Sequence, residues 1–421
     1  MRTRAVRLYG ANDLRLEEFE LPPLKDDEIL VRVVSDSICM STHKLLLQGK
    51  RHKRCPQDVD RHPVIIGHEF AGDIVEVGAR WRDQFQPGQK FAQQPALNWQ
   101  GRLDSPGYSY QFFGGSCTYC VIPPEVMELG CLLHYDGDSY FAASLGEPVS
   151  CVIGAYRACY HTNKHDYEHA MGVKPGGDLL ILGGAGPMGQ AAVEYALAMS
   201  GRPARVVVTD LDDDRLARAS QLVSPERAAQ HGVDLRFVNP AGFDQPEAGL
   251  RALTDGHGYD DVFVFAPIRQ LAELGDRLLA FDGCLNFFAG PAQADFTAEI
   301  NLYDVHYSST HLIGTTGGTT DDLKEGLALA AAGRLRPAVM VSHIGGIDAI
   351  IPAVTELPHL PGGKKLTYPG LELPLTAIDD LAELGRSDPL MASLAEACAG
   401  HQGLWNAEAE AILLAARGGR P

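Results

Sequence analysis

The stretch Asp178-Leu-Leu-Ile-Leu-Gly183, followed by Gly184-Ala-Gly186-Pro-Met-Gly189, constrains the fold of this chain more than any other. A short apolar strand runs into glycines spaced G-x-G-x-x-G, and Gln190-Ala-Ala-Val-Glu-Tyr-Ala-Leu-Ala198 then reads as a helix. A second strand, Arg205-Val-Val-Val-Thr209, ends at Asp210, about 20 residues past the last glycine. Alone the glycine spacing is weak; with the strand before it, the helix after it and the acid beyond, it predicts a dinucleotide-binding βαβ unit. Gly184 is expected to make the tight turn, Gly186 to admit a pyrophosphate to the backbone and the helix N-terminus, and Gly189 to allow close packing of helix on strand. Pro187 and Met188 complete the cofactor-binding turn. Asp210 would accept hydrogen bonds from the adenosine ribose and repel a 2′-phosphate, which favours NAD(H), with NADP(H) as the alternative.

Apolar runs at 235–238, 261–265, 284–288 and 311–315 alternate with helical or polar stretches, the pattern of a doubly wound parallel sheet. The nicotinamide is expected over the later strand ends, at Ala266-Pro267, Ala289-Gly290 or Thr315-Thr316. A helix over 321–332 and strands over 339–344 and 364–368 lead back toward the first part of the chain. Beyond Pro369, Ser387-Asp-Pro389 and Asn406 are helix-start signals of a final extension, expected to serve packing or a subunit contact.

The first part alternates in short runs, Leu14-Arg-Leu-Glu-Glu-Phe and Ile29-Leu-Val-Arg-Val-Val, broken by Pro22-Pro23 and Asp26-Asp27, which suits a compact β domain. As its last strand ends, Cys39, Ser41, Thr42 and His43 set a thiol, two hydroxyls and an imidazole close together. The run from Ile66 to Gly78 reads as a strand ending in a turn, with His68 and Glu69 side by side. Neighbouring side chains on a strand face opposite ways, so if His68 faces a metal, Glu69 reaches it only from a bend or supports it from behind. Glu147 precedes Pro148 at a helix start, where a carboxylate meets the positive helix end.

Each of these residues also has a plainer reading. Cys39 suits a small buried hydrophobe. Lys50-Arg-His-Lys-Arg54 suits a solvated loop, or else an anion-binding loop near a site. Cys117 and Cys120 read as strand residues on opposite faces, with no second cysteine pair nearby to complete a tetrahedral site. His161, His165 and His169 would form a stripe on a helix, but their charged neighbours suit an exposed connector.

With 421 residues, 45% of them hydrophobic, the chain is long enough for two domains. A net charge of -18 disfavours a nucleic-acid partner, whose backbone calls for clustered Lys and Arg. Nine cysteines without a secretion signal read as reduced thiols, and neither a signal peptide nor a membrane-length apolar run is visible. A cytoplasmic location and no membrane partner are the expectation.

Taken together, Cys39, the run from Gly67 to Gly78, Glu147-Pro148 and the turn from Gly184 to Gly189 with Asp210 resemble the zinc-dependent medium-chain dehydrogenases/reductases, over residues 1 to about 368. The resemblance implies a GroES-like β domain (1–152 and 318–421) broken by a Rossmann domain (153–317), with catalytic zinc in the cleft between them. By position, Cys39 and His68 would be zinc ligands. Glu69 and Glu147 would be the carboxylates that ligate zinc directly or through water in the sorbitol-dehydrogenase-like branch, and Ser41 the catalytic proton relay, with Glu69 beside it. Glu147 in place of a cysteine points to polyol enzymes. The four-cysteine structural lobe of the family is absent, so one catalytic zinc per chain is expected, and Lys44 replaces the usual distal histidine of the relay.

The segment Ile38–Lys44, the His52-Lys-Arg motif, Pro95-Ala-Leu-Asn-Trp, Pro106-Gly-Tyr-Ser-Tyr and the extension after Gly362-Gly-Lys-Lys are similar to the L-sorbose 1-phosphate reductase group. That makes the basic run a phosphate contact. It also implies NADPH, against the argument from Asp210. The expectation is therefore hydride transfer between a nicotinamide cofactor and a secondary alcohol or ketone of a polyol, sugar or sugar phosphate, in a homo-oligomer, dimer or tetramer. A metal-free NAD(P)H reductase of the same fold and a non-catalytic dinucleotide sensor are the alternatives.

Overall fold

A computed structural model describes residues 1–162 and 167–416. The chain divides into two compact units: residues 1–147, 323–331 and 341–421 form one, and residues 148–322 with 332–340 form the other.

The second unit is built on a six-stranded, all-parallel sheet. Its order is Asp234–Val238, Arg205–Thr209, Asp178–Leu182, Tyr259–Val264, Leu279–Phe287, His311–Gly314, so the first strand in sequence lies third and the chain reverses direction across it. Leu180 pairs with Val207 on one side and Val262 on the other, and all three are fully buried. Continuous apolar runs in these strands, rather than alternating ones, are what a sheet covered on both faces requires. The helix Pro187–Ala198 is buried from Gly189 to its end.

The first unit is mainly antiparallel. Ile29–Ile38 is its central strand, paired with Phe70–Val77, with Tyr119–Ile122 and with Lys364–Tyr368, a strand that returns from the far end of the chain. Phe70, Phe91 and Phe113 pack edge to face in the core, and both Cys117 and Cys120 are buried in that same cluster. The expectation that these cysteines point to opposite faces therefore fails. Cys117 sits outside the regular strand in an isolated bridge to Ala5, so strand alternation does not run through it.

The extension after Pro369 belongs to the first unit. Its helices Pro389–Gly400 and Ala407–Ala416 are capped by Asp388 and Asn406, which accept from the backbone N–H of Leu390 and Ala409. Glu410 reaches from the last helix into the core. It accepts from the backbone N–H of Tyr140 (2.6 Å) and Phe141 (2.8 Å) at the start of the helix Tyr140–Ser144, and from Tyr368 Oη (2.9 Å).

The histidine stripe is not helical. His161 and His169 lie on the antiparallel strands Tyr160–Thr162 and His169–Met171, and His165 falls outside the described residues. Among the described residues, no helix is long and apolar enough to cross a membrane.

Candidate metal and dinucleotide sites

His68 and Glu69 are not on a strand. Val64–Ile65 ends before them and Phe70–Val77 begins after them, and between the two strands Gly67 takes a left-handed φ of +86°. A Cβ on Gly67 would lie 2.2 Å from Asp36 Oδ2, so only glycine makes this bend. The bend frees both side chains from strand alternation, and both turn inward. Cys39 meets them as the residue between the strand Ile29–Ile38 and the helix Met40–Gln48. One ligand atom each from Cys39, His68 and Glu69 lies within 4.8 Å of the others. Gln93 Nε2 donates to the His68 carbonyl oxygen at 2.7 Å and fixes the bend.

The two carboxylates differ in their surroundings. Glu69 is 1% exposed and is held by Lys364, whose Nζ lies 2.7 and 2.6 Å from its two oxygens, and by the Ser37 hydroxyl. Burial opposes its ionisation, but Lys364 and His68 outweigh burial and hold it below the usual glutamate range. Glu147 lies in the first turn of the helix Gly146–Ala158. Burial, and then the charge of Glu69, push it up to about 7. Burial likewise pushes the His68 imidazole down, keeping it in the neutral form that ligates metals, and raises the Cys39 thiol. His68 Nδ1 is buried with no hydrogen-bond partner. A thiol, a neutral imidazole with an unsatisfied nitrogen and buried carboxylates make a donor set that fits zinc. Ser41 Oγ stands 3.0 Å from Cys39 Sγ and 3.4 Å from His68 Nε2, within reach of the same centre.

Three residues here were not singled out as site residues from sequence. Lys364, 6% exposed, is the first residue of the strand expected over 364–368. Ser37 carried no signal. Tyr108, 1% exposed, is the third: its ring stacks on His52 (5.3 Å), lies 5.0 Å from His68 and carries the Arg54 guanidinium 5.2 Å from its centroid. The basic run divides around it. Lys50 turns outward to Asp60 at 2.6 Å, whereas Arg54 buries its Nε without a hydrogen-bond partner. Burial together with Arg54, Lys53, Lys44 and His68 lowers the His52 imidazole to about 4, so positive charge accumulates here.

In the other unit, the left-handed residue of the glycine turn is Gly183 (φ +68°), one position before the expected Gly184. Gly184 is needed for space, since a Cβ there would meet Ile181 Cγ2 at 2.5 Å. A Cβ on Gly189 would lie 2.0 Å from the Gly184 carbonyl oxygen, the close packing of helix on turn expected of it. Gly186, Pro187 and Met188 form a half-exposed lip between buried neighbours, at a helix N-terminus with no side-chain cap. Asp210 ends the strand Arg205–Thr209, its Oδ1 accepting from the Leu211 N–H at 2.9 Å. Arg215 lies 4.0 Å from Asp210 Oδ2, and its guanidinium reaches the turn, 3.2 Å from where a Gly186 Cβ would stand. Thr315 and Thr316 line a cavity of about 470 Å³ with Arg157 and Asp322; Ala266-Pro267 and Ala289-Gly290 do not line it.

A parallel sheet with this glycine turn, in a chain whose other unit gathers a thiol, an imidazole and carboxylates, defines a zinc-binding dehydrogenase. Comparison with known proteins agrees. Residues 25–131 match the alcohol dehydrogenase GroES-like domain and residues 187–332 the zinc-binding dehydrogenase domain. The chain is 48% identical to the L-sorbose 1-phosphate reductase of Klebsiella pneumoniae, over 98% of this chain and 97% of that one. It is 48% identical to the mannitol-1-phosphate 5-dehydrogenase of Aliivibrio fischeri, with the same coverage. A solved structure of 2R,3R-butanediol dehydrogenase from Bacillus subtilis shares the fold at 21% identity, with a TM-score of 0.70 over 87% of this chain and 99% of that one. The chain belongs to the zinc-dependent medium-chain dehydrogenase/reductase family and is an oxidoreductase of that family, dependent on zinc and a nicotinamide dinucleotide.

Proposed function

We propose that this protein interconverts a secondary alcohol and its ketone on a phosphorylated sugar or polyol. The observation that carries the reading is the cluster of cationic side chains around Tyr108, beside His68, with Arg54 Nε buried and without a hydrogen-bond partner. Arg54, with Lys44 and Lys53, offers a phosphate the charge-assisted hydrogen bonds it prefers, and Arg54 Nε is already desolvated. The relatives named for L-sorbose 1-phosphate and mannitol 1-phosphate support this reading.

Cys39, His68 and Glu147 are proposed to hold the metal, with Glu69 tied to Lys364 as the carboxylate that balances charge behind them. Zinc bound there supplies a Lewis acid for the carbonyl or hydroxyl oxygen. Ser41 moves the proton to or from that oxygen, and Tyr108, within hydrogen-bond reach of Ser41, extends the path that Lys44 would otherwise leave without a partner for Ser41. Gly184, Gly186, Pro187, Met188 and Gly189 are proposed to cradle the pyrophosphate, and Asp210 to accept from the adenosine ribose, which favours NAD(H). Arg215 beside Asp210 offers a 2′-phosphate a cation, so NADP(H) is accepted as well. A homo-oligomer, dimer or tetramer, follows from the family resemblance. None of the nine cysteines forms a disulfide, which suits a reducing cytoplasm.

The test is a panel of polyols, sugar acids and sugar phosphates, assayed by absorbance of the reduced nicotinamide with both cofactors. The expected result is a kcat/KM at least about tenfold higher for a phosphorylated substrate than for its dephosphorylated form, since one charge-assisted hydrogen bond contributes about 1.5–3 kcal/mol. Equal turnover of the two forms would sink the phosphate reading. Activity that survives complete removal of zinc would favour the metal-free alternative.

A further inference from the structure

Among the described residues, a second group of metal-ligating side chains lies inside the dinucleotide unit. Cys159 follows the helix Gly146–Ala158, Asp261 lies in the strand Tyr259–Val264, and Cys284 pairs with Asp261 from the adjacent strand Leu279–Phe287. One ligand atom from each lies within 4.8 Å of the others. Their exposures are 0%, 2% and 0%, so this is an interior group and not a chance surface cluster. With Zn–S near ~2.3 Å, a tetrahedral ion holds its ligand atoms somewhat under ~4 Å apart, a gap that small rotamer changes close.

The polar atoms around the group are oriented as ligands are. His161 Nδ1 lies 2.9 Å from the Asp282 carbonyl oxygen, which can only accept; Nδ1 therefore carries a proton and Nε2 is the inward nitrogen. His161 Nε2 forms an ion pair with Asp261 Oδ1 at 3.3 Å, which raises the imidazole to about 9 against the effect of burial, and both atoms are shut off from solvent. The other oxygen of that carboxylate is fixed by the Lys174 N–H at 2.8 Å. Asn286 Nδ2 approaches Cys159 Sγ at 3.9 Å as a donor, while the thiol itself donates to the Ala155 carbonyl oxygen at 3.5 Å, a proton it would give up on binding metal. A metal bound between the thiols and the Asp261 carboxylate would take the place of the His161 proton, leaving Nε2 free to ligate. Without metal the group is held by the His161–Asp261 ion pair and by a thiol–thiol hydrogen bond between Cys159 and Cys284, and the ligand atoms of Cys159, Asp261 and Cys284 still meet at one interior point.

We propose that Cys159, Asp261, Cys284 and His161 form a structural metal site in the dinucleotide unit, taking a divalent ion of zinc's preference for sulfur and nitrogen. It is additional to the catalytic ion. The ion ties the end of one helix to two neighbouring strands and the strand Tyr160–Thr162, and each thiol and the His161 Nε2 release a proton to solvent as it binds.

The test is metal content of the whole enzyme, purified from zinc-supplemented cells and desalted without chelator. The expected result is two equivalents of zinc in the unaltered protein, one in Cys39→Ser and one in Cys284→Ser. Cobalt substitution checks the same point without altering the new site: Cys39→Ser protein should keep a thiolate-to-cobalt charge-transfer band. One equivalent in the unaltered protein, lost entirely in Cys39→Ser, would overturn the proposal. So would two equivalents retained in Cys284→Ser, or a Cys159–Cys284 disulfide found by non-reducing mass spectrometry.

Discussion

Arg54 and Lys364 are buried or half-buried cations that differ in what answers their charge. The Lys364 ammonium rests on Glu69 with both groups nearly inaccessible, at 6% and 1% side-chain exposure, so removing either leaves the other charged and unpaired in the interior. Lys364→Met is expected to lower the unfolding free energy by about 3–5 kcal/mol, read from denaturant titration. A loss near zero would mean that Glu69 is not held ionised by this pair. Arg54 has no such carboxylate at its Nε. Arg54→Ala is therefore expected to leave stability nearly unchanged and to raise KM for a phosphorylated substrate by ten- to a hundredfold, the equivalent of about 1.5–3 kcal/mol, with a much smaller effect on the dephosphorylated one. Steady-state kinetics on both substrates separates the two; an equal loss on both would remove Arg54 from phosphate recognition.

Among the elements, the bend at Gly67 organises the metal site, because it breaks a strand where the amino-acid pattern reads as continuous. Gly67→Ala has to place a Cβ 2.2 Å from Asp36 Oδ2 at a φ of +86°. The left-handed conformation alone costs a non-glycine residue about 1–2 kcal/mol, and the clash adds to it. The expected outcome is a protein that still binds NAD(H), since the dinucleotide unit is untouched, but has lost zinc and turnover. Full zinc occupancy in Gly67→Ala would show that the bend is not what holds the ligands. The strand-based argument that set His68 and Glu69 on opposite faces failed for this reason: period-2 reasoning holds only while the backbone stays extended, and one left-handed glycine resets it. The four inner parallel strands of the other unit were legible because each is a short, largely buried apolar run, and the half-exposed edge strands Asp234–Val238 and His311–Gly314 by the apolar residues they carry.

For the whole molecule, the C-terminal extension shows how a distant segment is fastened. Glu410 is buried against the start of another helix and Tyr368, and burial pushes its carboxyl from 4.5 up to about 7 despite the hydrogen bonds that lower it. A carboxyl whose native pKa lies above its unfolded value binds more protons folded than unfolded between those two values. Stability from this group is therefore greatest below pH 4.5 and falls as pH rises toward 7, by up to about 3 kcal/mol over that window. In Glu410→Gln that slope should vanish; the difference between the two proteins' unfolding free energies across pH 4.5 to 7 measures it. Parallel curves would show that Glu410 ionises normally in place.

By itself the amino-acid sequence determined the dinucleotide unit, the approximate extent of its strands and the helices of the extension, and it marked Cys39, His68, Glu69 and Glu147 as candidate ligands. These are local properties: periodicity, turn glycines, capping residues and ligand chemistry are written in neighbouring positions. Only the tertiary structure decided which carboxylate is paired with a lysine, because Lys364 meets Glu69 from 295 residues away. It likewise decided that Tyr108 joins His52, Arg54 and His68, that Cys117 and Cys120 share one core, and that Cys159, Asp261 and Cys284 converge. Each of those depends on strands paired across the chain, and pairing is fixed by the burial of whole faces rather than by any residue's own neighbours.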